Sequence, residues 1–227
     1  MTEIYMVRHC EAIGNVKRLF QGTSNFDISE TGAKQLLYLT KRFNHIKLDK
    51  VYTSPLIRAK KTALAVIGNK PIKPIDEKGL IELCGGIVEG KPFIETFNSI
   101  PGLADTWDNH PEDFAPEGGE KMCDAYERIW NTVTKIAAEN AGKTVACTTH
   151  GGVTRCLLCR LLKGDISKLS QMPWSENTAV SLIRFDEDLN PEVVFYNDVS
   201  HLPEALIPKR SRLSSFMGGN TKAGDKV

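Results

Sequence analysis

A chain of 227 residues with 41% apolar side chains has the length for one large α/β domain, or one domain with a small insert, around a real core. Its 29 basic and 28 acidic side chains leave a formal charge of +1, which excludes charge-driven attraction to nucleic acid or to an acidic membrane surface. No run approaches the ~18 apolar residues of a membrane span, and Met1-Thr2-Glu3-Ile4 does not read as a secretory signal, so a cytoplasmic location is expected.

The first apolar run, Ile4 to Val7, reads as a buried strand and leads directly into Arg8-His9. Ser29 can cap a helix that runs to about Phe43, with Leu36, Leu39 and Phe43 at helical spacing. Val51-Tyr52-Thr53 is the next strand. Pro55 suits a helix start, because its missing N–H is not needed there, and the helix continues through Arg58, Ala59, Thr62, Ala63 and Val66. Gly85 to Gly119 is different: Pro92, Pro101, Pro111 and Pro116 interrupt it, with Phe93, Phe97 and Trp107 between them. It reads as a lid or specificity insert.

A helix from about Glu120 to Asn140 carries the apolar stripe Met122, Tyr126, Ile129, Val133 and Ile136. Thr144 to Thr148 is a strand, Val153 to Leu162 an apolar helix, and Ala179 to Phe185 and Glu192 to Tyr196 are late strands. Lys209-Arg210-Ser211-Arg212 reads as solvated surface, and the tail after about Phe216 is expected to fray. The alternation predicts a single α/β domain over 1-227: a three-layer sandwich with a mostly parallel central sheet and helices on both faces.

Six cysteines (Cys10, Cys84, Cys123, Cys147, Cys156 and Cys159) show no regular framework, as expected in a reducing compartment. Cys156 and Cys159 have CxxC spacing, but inside an apolar helix and with no second pair, which points to packing.

In open α/β sheets, ligands bind beyond the carboxyl ends of the strands. Arg8-His9 ends the first strand, Ser54 and Arg58 follow the second, and His150 ends the Thr144 to Thr149 run ahead of Gly151-Gly152. These pieces can therefore meet on one edge of the sheet in a cationic pocket. A neutral imidazole is nucleophilic toward phosphorus. Arginine forks match phosphoryl oxygens and stabilise the charge that spreads over them in the transition state. An alkoxide leaving group needs a proton, and Glu82, in Leu80-Ile81-Glu82-Leu83, is the best carboxylic acid for it. Cys10 does not head a cysteine-phosphatase loop, since position 16 is Val and not Arg. Asp186 and Asp188 have nucleophile-pair spacing but no companion motif. His45 reads as surface, and His110 is compatible with surface or site.

Taken together, the motifs resemble those of the histidine phosphatase superfamily, also called phosphoglycerate mutase-like. Arg8-His9-Cys10-Glu11-Ala12-Ile13-Gly14-Asn15 is similar to its arginine-histidine-glycine signature, with Asn15 matching and Cys10 replacing the usual glycine. Further matches are Phe20-Gln21-Gly22, Thr31-Gly32, Ser54-Pro55-Leu56 with Arg58-Ala59, Glu82 with Glu89-Gly90, Glu117-Gly118-Gly119-Glu120, Thr149-His150-Gly151-Gly152, and Asn197 through His201-Leu202.

The resemblance implies a phosphoglycerate mutase-like fold and a two-step reaction without metal or other cofactor. His9 would attack phosphorus, and Glu82 would protonate the leaving oxygen and then activate water. Arg8, Arg58 and His150 would grip the phosphoryl group, with His150 a cation or donor beside it. Asn15, Gln21, Gly22 and Gly151 would line the phosphate and substrate site. Cys10 is expected to reshape the pocket slightly or make it oxidation-sensitive, because glycine there lets the backbone approach a ligand and adopt unusual dihedrals.

Gly85 to Gly119 is acidic, with Lys91 its only Lys or Arg, where mutases are expected to carry more cations. The expected activity is hydrolysis of a small phosphomonoester. The alternatives are a 2,3-bisphosphoglycerate-dependent phosphoglycerate mutase and a noncatalytic phosphate-binding or interaction module. The expected partner is the small-molecule substrate, with no nucleic acid or membrane, and the chain acts as a monomer or homodimer.

Overall fold

A computed structural model describes residues 1–207; the Lys209 to Arg212 run and the tail after Phe216 lie outside them. The first apolar run becomes β1 (Thr2–Arg8), followed by a single turn of helix, α1 (Ile13–Val16), and by α2 (Glu30–Phe43). Ser29 caps α2 by accepting from Gly32 N at 2.9 Å, and Lys41 and Arg42 sit in its last turn, where cations suit the helix dipole. β2 (Lys50–Thr53) leads into α3 (Ile57–Ile67), which starts two residues after Pro55, and then into a short edge strand, β3 (Pro74–Asp76). The insert folds into α4 (Phe93–Ser99), α5 (Leu103–Asp108) and short 3₁₀ turns. The rest is α6 (Met122–Glu139), β4 (Thr144–Thr149), α7 (Gly151–Lys163), β5 (Val180–Phe185) and β6 (Pro191–Asp198).

The strands form one sheet in the order β3-β2-β4-β1-β5-β6. The first four are mutually parallel; β5 runs antiparallel to β1, and β6 antiparallel to β5. The sheet is therefore mixed. β1 alternates its side chains: Ile4 and Met6 enter the core that holds α6 and α7, while Val7 enters the core that holds α2 and α3. Helices thus cover both faces, which is why the two central strands read as apolar runs. Neither β3 nor α1 was legible beforehand. β3 pairs over three residues beginning at a proline, and such a strand survives only at an edge. Among the described residues, no helix is long and apolar enough to cross a membrane.

The insert packs through aromatic rings. Phe93 and Phe97 stack at 4.2 Å, Phe20 approaches both, and Trp107 meets Phe97 and Phe114 edge-on. Offset and edge contacts of this kind add to the gain from area burial. They fasten the insert to the Phe20 loop.

Candidate active site

β1, β2 and β4 are parallel and nearly in register, so their carboxyl ends open on one edge. Hydrogen bonding continues one step past the strands: His9 N donates to Thr149 O at 2.8 Å, and Ser54 N to Thr148 O at 3.0 Å. A cavity of about 440 Å³ opens there. Arg8, His9, Asn15, Gln21, Gly22, Arg58, Glu82 and Gly151 all line it, as does the aromatic wall of Phe20, Phe93 and Trp107.

His9 is buried, and its Nδ1 lies 2.6 Å from the Cys10 carbonyl. A carbonyl only accepts, so Nδ1 carries the proton and Nε2 the lone pair. Burial, with Arg58 and Arg8 beside it, holds the imidazole well below its ordinary 6.5, so the ring is neutral and nucleophilic at neutral pH. His150 lies 5.2 Å away between ring centres and is fully buried without reaching the cavity wall. Its Nε2 is 2.7 Å from Ser54 Oγ. Burial and Arg58 keep it neutral too. Of the two expectations for His150, a cation or a donor, burial beside the arginines disfavours the cation and leaves the donor.

The arginines are fixed by backbone carbonyls. Arg58 donates to Ser24 O and Gly22 O, each at 2.7 Å, and Arg8 Nη1 donates to Ser175 O. The Nε atoms of both arginines are buried without an acceptor among the described residues. Buried donors are rarely left unpaired, and these two belong to cavity-lining side chains. Burial pulls Arg58 down to about 10, still cationic at neutral pH.

Glu82 is half-buried. Its Oε2 accepts from Gly152 N at 3.0 Å and its Oε1 from Leu83 N at 3.1 Å. A Cβ on Gly152 would stand 2.5 Å from Glu82 Oε1, so the carboxylate requires glycine there. Asn15 Oδ1 accepts from Ala12 N at 2.9 Å, which turns the amide nitrogen toward other acceptors. Glu89 accepts from Thr23 N, Ser24 N and Gly85 N and from the Thr23 and Ser24 hydroxyls. It thereby fixes the loop whose carbonyls hold Arg58.

The loop before β5 was missed in the sequence. Asn177 Nδ2 and Thr178 N both donate to His9 O, at 3.0 and 3.3 Å, and Ser175 O receives Arg8. Thr178 is fully buried at φ +60°, an unusual value for a β-branched residue. His201 Nε2 lies 3.2 Å from Thr178 Oγ1, and Arg42, paired with Asp198, touches the other nitrogen of His201. Asn197 bonds to the Ser175 hydroxyl. The Asn197 to Leu202 motif thus braces this clamp.

Cys10 departs from expectation. It does not line the cavity, its φ is not positive, and its Sγ lies 3.3 Å from where a Cβ on Gly32 would sit. Its N–H donates to Thr62 Oγ1 at 3.1 Å, and burial pushes the thiol up to about 12. The side chain faces the helices and not the pocket. The cavity is also lined by residues that sequence reasoning passed over: Arg155, Trp174, Glu176 and Asn177.

The fold and site define an α/β protein in which a neutral histidine at a strand end, a carboxylate, and two arginines whose Nε donors lack an acceptor among the described residues line one cavity. The chain belongs to the histidine phosphatase superfamily (branch 1), whose family model matches residues 4–199. It is 30% identical over 210 residues to phosphoserine phosphatase 1 of Hydrogenobacter thermophilus, covering 91% of this chain and 97% of that one. It is also 30% identical to the metal-independent phosphoserine phosphatase of Arabidopsis thaliana, over 89% of this chain and 84% of that one. Bacillus stearothermophilus YhfR superposes with a TM-score of 0.84 at 32% identity, covering 88% of this chain and 99% of that one.

Proposed function

We propose that this chain is a metal-independent phosphomonoesterase that hydrolyses a small phosphorylated metabolite through phosphohistidine at His9. One observation carries the reading: a neutral, buried His9, whose Nε2 has no partner among the described residues, shares a cavity with two arginines whose Nε donors lack an acceptor among them. An incoming phosphoryl group satisfies those donors and meets the lone pair. His9 Nε2 attacks phosphorus as the P–O bond to the leaving group breaks, and Glu82 gives that oxygen its proton. Glu82 then takes a proton from the water that cleaves the P–N bond, restoring His9 and releasing phosphate. Gln21 and Gly22 border the leaving group. Residues 85–119 act as a lid on one domain. Six free cysteines suit a reducing location such as the cytoplasm.

The relatives named phosphoserine phosphatase make O-phosphoserine the first substrate to assay, in chelator, with isomerisation of 3-phosphoglycerate followed in parallel. His9→Ala abolishes phosphate release with the fold retained. Rapid quench of the wild-type protein traps an acid-labile phosphoprotein that His9→Ala does not form. Turnover surviving in His9→Ala, or isomerisation with little release, overturns the reading.

A further inference from the structure

We infer that Arg155 forms a second anion subsite in this cavity, so that the preferred leaving group carries a carboxylate. The inference rests on the phosphatase reading above and concerns the far end of the substrate.

The arginines of the described chain sort by position. Arg42, Arg128, Arg160 and Arg184, away from the cavity, each pair with a carboxylate. Arg8, Arg18, Arg58 and Arg155 line the cavity, and among the described residues none of these four forms an ion pair. Arg18 is exposed, so water solvates it. Arg155 is 5% exposed. Its Nε donates to Met172 O at 3.0 Å, and its guanidinium lies 4.6 Å over the Trp174 ring. Those contacts fix the fork and leave both terminal nitrogens without an acceptor among the described residues. Asp108 is close enough to be felt electrostatically but does not reach ion-pair distance. A buried cation without a counter-charge is costly. Arg8 and Arg58 stand beside His9, with Glu82 acting on both and Glu176 on Arg8, whereas Arg155 faces an indole and has no carboxylate at ion-pair distance among the described residues.

Its placement gives the spacing. Gly151 and Arg155 lie one turn apart on the same face of α7, and helical side chains lean back toward the N-terminus. A Cβ on Gly151 would lie 3.2 Å from Arg8 Nε and 3.3 Å from Trp174 Cζ3. The same indole therefore separates the phosphate-binding arginine from Arg155. One helical turn is about 5.4 Å, the scale of a three-carbon phospho-acid.

Matched substrates test this: 3-phosphoglycerate against glycerol 3-phosphate, and O-phosphoserine against phosphoethanolamine. In each pair only the first member has the carboxylate. The readout is the ratio of kcat/KM within each pair, for wild type, Arg155→Met and Arg155→Lys. A charge-assisted bidentate contact predicts a wild-type ratio of about 10 to 100 in favour of the acid. Arg155→Met brings the ratio to within about threefold of one, and Arg155→Lys, which keeps the charge but not the fork, falls between. A ratio untouched by Arg155→Met, or a wild type that prefers the member without the carboxylate, overturns the subsite.

An aryl phosphate assayed alongside tests the phosphatase reading separately. If no ester is hydrolysed, that reading fails, and calorimetric binding of 3-phosphoglycerate and glycerol 3-phosphate to the full chain decides the subsite by the same comparison. Should Arg155→Met melt before assay temperature, Arg155→Lys carries the test.

Discussion

Gly152→Ala separates the chemistry from the stability of the fold. Gly152 occupies the second position of α7 and has no positive φ, so alanine raises helix propensity there by up to about 1 kcal/mol. The added methyl would stand 2.5 Å from Glu82 Oε1 and 3.0 Å from Leu83 Cδ1. To reach ordinary contact, the carboxylate has to retreat by about 0.9 Å. It is the end of a flexible side chain, so the retreat costs little stability, but it displaces the proposed acid from the leaving oxygen. A misplacement of about 1 Å costs on the order of 10²-fold in rate. The melting temperature should therefore hold or rise, while kcat for an alkyl phosphate falls about 10²-fold. An aryl phosphate, whose leaving oxygen scarcely needs a proton, should lose far less. Steady-state kinetics on both esters with a thermal melt decide the matter. Equal losses on the two esters would refute Glu82 as the leaving-group acid, and a large drop in melting temperature would refute the steric argument.

Three further outcomes are expected. Asn177→Ala removes one of two donors to the His9 carbonyl, and kcat should fall about tenfold with KM little changed; an unaltered kcat removes the clamp from the mechanism. His9, His150 and His201 all have folded pKa values below 6.5, that of His201 at about 4, mainly through burial. Above about pH 6.5 neither state binds these protons, and below it only the unfolded chain takes them up. The urea midpoint should therefore fall as pH drops from about 7 to 5, less steeply in His201→Gln; identical slopes exclude His201. Iodoacetamide followed by peptide mapping should label exposed Cys123 and half-buried Cys84 while activity persists. Labelling of Cys10 in the folded protein contradicts its burial.

The strand-end residues were legible because chemistry and chain direction coincide there. Arg8-His9, Ser54 and His150 each follow an apolar run, and parallel pairing alone brings them to one edge. The reversed direction of β5 was not legible, since a buried strand has the same apolar pattern either way. With it went the Ser175 to Thr178 clamp, which exists only because β5 runs back beside β1. Arg155 was overlooked because the apolar residues around it describe a packing helix. Its spacing of four from Gly151 was the available signal. The neutrality of His150 depends on burial beside Arg58, and no spacing in the chain reports a dielectric.

Glu89 bears on how specificity in this scaffold can be exchanged. It sits near the start of the insert yet binds the Thr23-Ser24 segment whose carbonyl, with that of Gly22, orients Arg58. A lid graft cut before Glu89 would unseat the phosphate arginine and return an inert chimera for a reason unrelated to the new lid. A junction after Pro92 keeps that anchor and exchanges Phe93 and Trp107 alone, leaving Phe20 and Arg155 with the scaffold, so part of the cavity wall becomes a portable module.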